Sequence, residues 1–239
     1  MPVQRVHDID MYYEVHGAGE PLVLIGGLGN DLSEWEWMVD WCARTHMVLA
    51  FDNRGAGRTD KPDALYSIEM MAGDTDALME ALGISGAAVL GVSMGGRIAL
   101  ELTLEHPVRV ASLILVSTSA AAHPDVGLTR MDLLSGLAGL VLRGKYPQPR
   151  YAQSRQRQAS RAYDRTNRLH EIRVPATIMH GRRDRIVPLR EAEQLRRGIA
   201  DSQLVIFRGG HAFFMFRERR WFLDSLNIAF ASARPVRPS

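Results

Sequence analysis

The stretch Val89-Leu90-Gly91-Val92-Ser93-Met94-Gly95-Gly96 constrains this chain more than any other. Ala87 to Val92 is an apolar run of strand length, and a serine flanked by glycines follows it. A helical pattern then runs from Arg97 to His106, where Pro107 closes it. A strand that turns straight into a helix forces the residue at the turn into sparsely allowed backbone space, at a cost of about 1–3 kcal/mol. Side chains two positions to either side would collide across so sharp a turn, which is why Gly91-x-Ser93-x-Gly95 carries glycine there. The turn lifts the Ser93 hydroxyl above the sheet and sets the N–H of Met94 beside it at a helix N-terminus. A nucleophile and an anion-binding donor are thereby presented together. Glycine and serine are common residues, so the spacing has meaning only with the strand before it and the helix after it.

The rest of the chain supplies a sheet for that turn. Pro21–Ile25, His46–Phe51, Val110–Val116, Ala176–Met179 and Gln203–Phe207 are further apolar runs of strand length, as expected for strands buried on both faces. Gln4 to Val15 reads as an antiparallel hairpin turning at Asp8-Ile9-Asp10. Helical patterns separate the runs. One is capped by Ser33, with Trp35, Met38, Val39, Trp41 and Cys42 inward and Trp37 outward. A second is capped by Ser67 and runs to Leu82, with Met70 and Met71 as core filler. Two more cover Glu191–Ile199 and Glu218–Phe230. Alternating strands and helices predict an α/β fold, a mostly parallel sheet covered on both faces. Ala231 to Ser239 is rich in arginine and proline and is expected to fray.

Five stretches resemble the α/β-hydrolase superfamily: Leu22–Leu32, Phe51–Thr59, Val89–Gly96, Gly181–Pro188 and Gly209–His211. Within it the chain is similar to the branch of small esterases, 3-oxoadipate enol-lactonase-like enzymes and carbon–carbon hydrolases. The likeness covers nearly all of residues 3–118 and 172–230 and fails across 119–171. It implies a core of residues 1–118 and 172–239 and a short helical cap inserted at 119–171. Relatives often carry His-Gly where this chain has Gly26-Gly27, a departure in the loop after the third strand.

The resemblance also implies a site. Ser93, Asp184 and His211 follow the superfamily's chain order of nucleophile, acid and base, and each follows a predicted strand, which puts all three at the carboxyl edge of the sheet. Ser93 would attack a carbonyl, His211 would move the proton, and Asp184 would hold the imidazole tautomer. The N–H groups of Leu28 and Met94 would form the oxyanion hole. His180 and His106 are the competing histidines, and Asp184 could instead pair with Arg182, Arg183 or Arg185. No carboxylate follows the strand ending at Ser117-Thr118, the usual competing position for the acid. Asp52 and Arg54 read as residues that hold their own loop. Leu134, Leu137 and Phe213 are candidate substrate contacts.

Composition narrows the function classes. The net charge is +2 and the arginine runs lack interleaved aromatics, so nothing points to nucleic acid. Neither a metal-spaced His/Cys cluster nor a phosphate-cradling glycine loop is present, so neither metal nor cofactor is expected. No signal peptide is visible, Leu133–Leu142 is too short to span a bilayer, and Cys42 is the single cysteine; together these predict a cytoplasmic protein that does not enter the membrane. The expected activity is cofactor-free hydrolysis of a small ester. An enol-lactonase or carbon–carbon hydrolase is the alternative, and a non-catalytic ligand-binding protein of the same fold is the reading of another class. The insertion bears on the choice. Met131–Leu142 is apolar and suits a lid over an acyl group, while Arg143, Lys145, Arg150, Arg155, Arg157, Arg161, Arg165 and Arg168 make its second half basic. The expectation is a neutral ester under an apolar lid; an inward arginine would instead favour a carboxylate-bearing lactone. The sequence leaves the oligomeric state open.

Overall fold

A computed structural model describes residues 2–122, 144–215 and 217–231 of the chain. Eight strands form one sheet: β1 (Val3–Val6), β2 (Ile9–His16), β3 (Glu20–Ile25), β4 (His46–Phe51), β5 (Ala87–Val92), β6 (Val110–Val116), β7 (Ala176–Gly181) and β8 (Ser202–Phe207). Their order is β1-β2-β4-β3-β5-β6-β7-β8. β2 runs antiparallel to β1 and β4, and every pairing from β4 to β8 is parallel. The described helices are α1 (Glu36–Cys42), α2 (Ile68–Ala81), α3 (Met94–Glu105), α4 (Arg150–Ala162), α5 (Leu189–Gly198) and α6 (Arg219–Ala231).

The two-residue period of the strands splits their side chains between two cores. Val23, Ile25, Leu49, Val89, Leu113 and Leu115 meet Met71, Leu78, Ile98 and Leu195 of α2, α3 and α5 on one face. Leu22, Leu24, Val48, Leu90, Ile114 and Val116 meet Met38, Val39, Phe222 and Leu226 of α1 and α6 on the other. β5 is buried along its whole length in the middle of this sandwich, so its carboxyl end is a fixed platform.

Local details differ from the sequence reading. The first hairpin turns at His7-Asp8, and Ile9 is already in β2, fully buried. Asp31, not Ser33, caps the helical segment after β3. Its carboxylate takes the N–H of Ser33 while Glu34 reaches back to the N–H of Asp31, a reciprocal capping box around the short turn Leu32–Trp35. A carboxylate two residues earlier outcompetes the hydroxyl because it accepts from several donors at once. Ser67 does cap α2, accepting from the N–H of Met70. Met71 is core, but Met70 faces outward, since adjacent helix residues lie about 100° apart. α3 begins at Met94, directly after Ser93, rather than at Arg97.

Between β6 and β7, α4 and the short turn Thr166–Glu171 place Ala159 and Leu169 in the core. Four basic residues there pair with carboxylates: Lys145 with Glu36, Arg155 with Asp63, Arg165 with Glu69 and Glu101, and Arg168 with Glu105 and Glu171. Arg97 of α3, almost wholly buried, spends its terminal N–H groups on neutral oxygens of Ser119, Ala121 and Ser160, tying the end of β6 and α4 to the helix after Ser93. Arg143 and the whole apolar stretch Met131–Leu142, Leu134 and Leu137 included, lie outside the described residues. Among the described residues, no helix is long and apolar enough to cross a membrane.

Candidate active site

Ser93 sits between β5 and α3 with φ 56° and ψ −116°, the strained conformation expected at such a turn. The flanking glycines are needed for two different reasons. A Cβ on Gly91 would fall on the backbone carbonyl of Gly95, across the turn. A Cβ on Gly95 would fall on the carbonyl of Ile25, at the end of the neighbouring β3. The first collision is legible in the motif; the second exists only because β3 pairs with β5.

The loops at the carboxyl ends of β7 and β8 bring the other two residues in. His211 Nε2 lies 3.1 Å from Ser93 Oγ, and its Nδ1 lies 2.8 Å from Asp184 Oδ2. Asp184 Oδ1 accepts the N–H groups of Ile186 and Val187 at 2.8 and 2.9 Å, which leaves Oδ2 for the imidazole. Asp184 is buried and His211 keeps part of its ring exposed. The three residues singled out from sequence are therefore in mutual contact. His180 approaches the same carboxylate from behind, its Nε2 3.5 Å from Asp184 Oδ2, but the closer partner of that oxygen is His211 at 2.8 Å. His180 is fully buried, its Nε2 is 2.9 Å from the carbonyl of Val187, and burial holds its pKa below the usual imidazole range. His106 sits beside Asp76, away from the site. Asp184 pairs with none of the neighbouring arginines.

Several supporting residues carry no motif signal. Ser117 and Thr118 follow β6, the position a competing carboxylate would take. Ser117 Oγ donates to the carbonyl of His211, and Thr118 Oγ1 donates to the carbonyl of Ser93. Glu218 accepts the N–H groups of Arg208 and Gly209, fixing the loop before His211. These hydroxyls and this carboxylate act on backbone of other loops, a relation that spacing cannot show. Phe213 is 4% exposed and stacked on Phe207, with ring centroids 4.2 Å apart, and so packs with the core behind the His211 loop.

The N–H of Met94 opens α3 and has no acceptor within the helix. The N–H of Leu28 has no acceptor among the described residues. Its loop is pinned all round: Gly26 O takes Asn53 Nδ2, and Gly27 O takes the N–H of Asn30. A Cβ on Gly26 would sit 2.9 Å from the Trp35 indole nitrogen, so that ring occupies the room a larger residue would need. Arg54 is held by Asp8 and Asp74, and Asp52 by the N–H groups of Leu32 and Arg58, as loop-holding residues.

Glu34 ties this loop to pH. Its carboxylate takes the N–H of Asp31 and Nδ2 of Asn30. Burial pushes its pKa up to about 7, the N–H of Asp31 opposes that, and the Asp31 charge adds to it. A carboxyl raised on folding contributes stability that is complete below its unfolded pKa and is lost as pH rises through the folded value. Glu34→Gln is therefore expected to gain melting temperature relative to the parent between about pH 5 and about pH 9. Thermal denaturation of both proteins across that range checks this, and parallel curves would contradict it.

Away from the site, a cavity of about 310 Å³ opens near the amino-terminal ends of β6, β7 and β8, lined by Ser112, Thr177, Asp201 and Gln203 among others. None of Ser93, Asp184 and His211 borders it. Among the described residues, no group of three or more His, Cys, Asp or Glu side chains could hold a metal ion.

Comparison with known proteins agrees with this geometry. The sequence model of the alpha/beta hydrolase fold family matches residues 20–159. The chain is 31% identical, over 89% of its own length and 92% of the other's, to a protein of Azorhizobium caulinodans provisionally named carbamate hydrolase RutD. It superposes with a TM-score of 0.85 on the enol-lactonase from Burkholderia xenovorans LB400, at 24% identity over 97% of this chain and 100% of that one. It superposes with a TM-score of 0.83 on the esterase EaEST from Exiguobacterium antarcticum, at 26% identity over 96% and 98% of the two chains.

Proposed function

The chain belongs to the alpha/beta hydrolase fold family, and within it we propose a cofactor-free serine hydrolase that cleaves small neutral esters through an acyl-enzyme. One contact chain supports this reading: Asp184 Oδ2 to His211 Nδ1, and His211 Nε2 to Ser93 Oγ. Ser93 Oγ attacks the carbonyl carbon while His211 Nε2 takes its proton. Asp184 keeps the Nδ1–H tautomer and stabilises the imidazolium. Negative charge gathers on the carbonyl oxygen, facing the N–H groups of Met94 and Leu28; each such donor is typically worth about 2.7–4 kcal/mol. His211 then gives the proton to the leaving group, and water repeats the sequence to release the acid.

The choice of a neutral substrate rests on the inserted region, proposed here as the cap. Four of its described cations, Lys145, Arg155, Arg165 and Arg168, are engaged with carboxylates, so these four are not spare for a substrate anion. A carbamate is the second reading, favoured by the name and the near full-length match of the Azorhizobium relative. It asks for the same attack on a carbonyl carbon.

The test compares kcat/KM for a neutral aryl ester, its ω-carboxylate analogue and the matching aryl carbamate. The neutral ester is expected to exceed the carboxylate analogue by about tenfold or more, at low and high salt alike, because an unpaired anion must be desolvated. A preference for the carboxylate that survives high salt would favour the lactonase reading. A carbamate rate above the ester rate would favour the second one.

A further inference from the structure

We infer that Gln156, on the inserted helix α4, is a positioning residue for the Leu28 oxyanion donor. The inference rests on the reading of Ser93 as the nucleophile. Gln156 is fully buried, although glutamine is rarely so. Its two polar ends are both used: Oε1 accepts the N–H of Gly29 at 2.9 Å, and Nε2 donates to the carbonyl of Arg54 at 2.8 Å. One side chain from the insertion thus bridges the loop after β3 and the loop after β4.

The bond to Gly29 acts at a sensitive place. Asn30 donates to Gly27 O, so residues 27–30 form a β-turn with Leu28 and Gly29 at its centre, and Gly29 has φ +76°. A positive φ at the third position belongs to the turn type that differs from its common alternative mainly by the orientation of the central peptide. Glycine tolerates both signs of φ, so the turn itself does not select one orientation. The central peptide here joins Leu28 to Gly29, and its N–H is the group that Gln156 holds. A flip would swing the Leu28 carbonyl round and break the bond to Gln156. With the bond in place, the N–H of Gly29 is consumed and that of Leu28 is left open. The N–H of Leu28 belongs to the preceding peptide and does not turn with such a flip; Gln156 steadies it by anchoring the next peptide of the same turn, from a part of the chain that holds none of the three residues in contact at the site.

The experiment measures kcat, KM and inhibition by a substrate-like trifluoromethyl ketone, which forms a tetrahedral adduct, and by the plain methyl ketone, which reports ground-state binding. Gln156→Met keeps the volume and removes both hydrogen bonds. It is expected to lower kcat by about 10-fold to 100-fold, less than the ~10²–10³ of an oxyanion donor lost outright. KM and methyl-ketone affinity should stay nearly level, and trifluoromethyl-ketone affinity should fall by the same factor as kcat. Gln156→Glu, which keeps an acceptor for Gly29, should recover most of the loss. Arg168→Ala, which loosens the insertion elsewhere, should leave kcat unchanged. Should Gln156→Met fail to fold, Gln156→Asn, a methylene too short to reach Gly29, carries the same comparison. Equal losses in Gln156→Met and Arg168→Ala, or undiminished adduct affinity, would overturn the inference. Activity surviving in Ser93→Ala would instead remove its premise, so the two failures are separable.

Discussion

Ser93→Ala is expected to lower kcat/KM for an ester by about 10⁴–10⁶, leaving only what the oxyanion donors and binding supply. The fold should be unaffected, because the Ser93 side chain contributes little beyond its contact with His211. A second effect distinguishes this position from an ordinary surface serine. Its φ of 56° is unfavourable for any residue with a Cβ. Ser93→Gly, equally inactive, is therefore expected to be more stable than Ser93→Ala by about 1 kcal/mol, once the flexibility of glycine in the unfolded chain is set against the relieved strain. Steady-state kinetics and urea denaturation of the three proteins read both effects. Parent-like turnover in Ser93→Ala would sink the mechanism. Lower stability in Ser93→Gly would show that the turn is not strained.

Asp184→Asn is expected to cost about 10⁴ in kcat, whereas Asp201→Asn, on an exposed turn before β8, should be nearly silent. The reason lies in the geometry of the carboxylate. Oδ1 takes two backbone N–H groups, which an amide oxygen can still accept. The amide nitrogen must then replace Oδ2 opposite His211 Nδ1. An N–H there donates to the ring rather than accepting from it, so it selects the tautomer with Nε2 protonated, which cannot take the Ser93 proton. The variant should fold, because the loop bonds survive, and so its loss should appear in kcat rather than in melting temperature. Similar activity in the two variants would reduce Asp184 to a structural residue.

Much of this was legible in the chain itself. Short-range sterics and periodicity are properties of the sequence, so the strands from Pro21 to Phe207, the turn at Gly91-x-Ser93-x-Gly95 and the cap at Ser67 could be read directly, with errors of a few residues at the ends. The errors have a common physical origin. Ser33 was displaced as a cap by Asp31 because a carboxylate can gather donors from a distant segment, including the N–H of Tyr146. The stacking of Phe213 on Phe207 is of the same kind, a contact between loop and strand that spacing does not show.

What a strand–serine–helix turn needs is local, and so the sequence determined where Ser93, Asp184 and His211 stand, each at the end of its own strand. Only the tertiary structure decided which partners hold them. Gly95 must be glycine because β3 lies against β5. Thr118 and Ser117 fasten the loops of Ser93 and His211, and Gln156 reaches Gly29 from 127 positions away in the chain. Such bonds join backbone groups whose neighbours in space are set by sheet order and by the packing of α4, and nothing in residue type or spacing encodes that meeting.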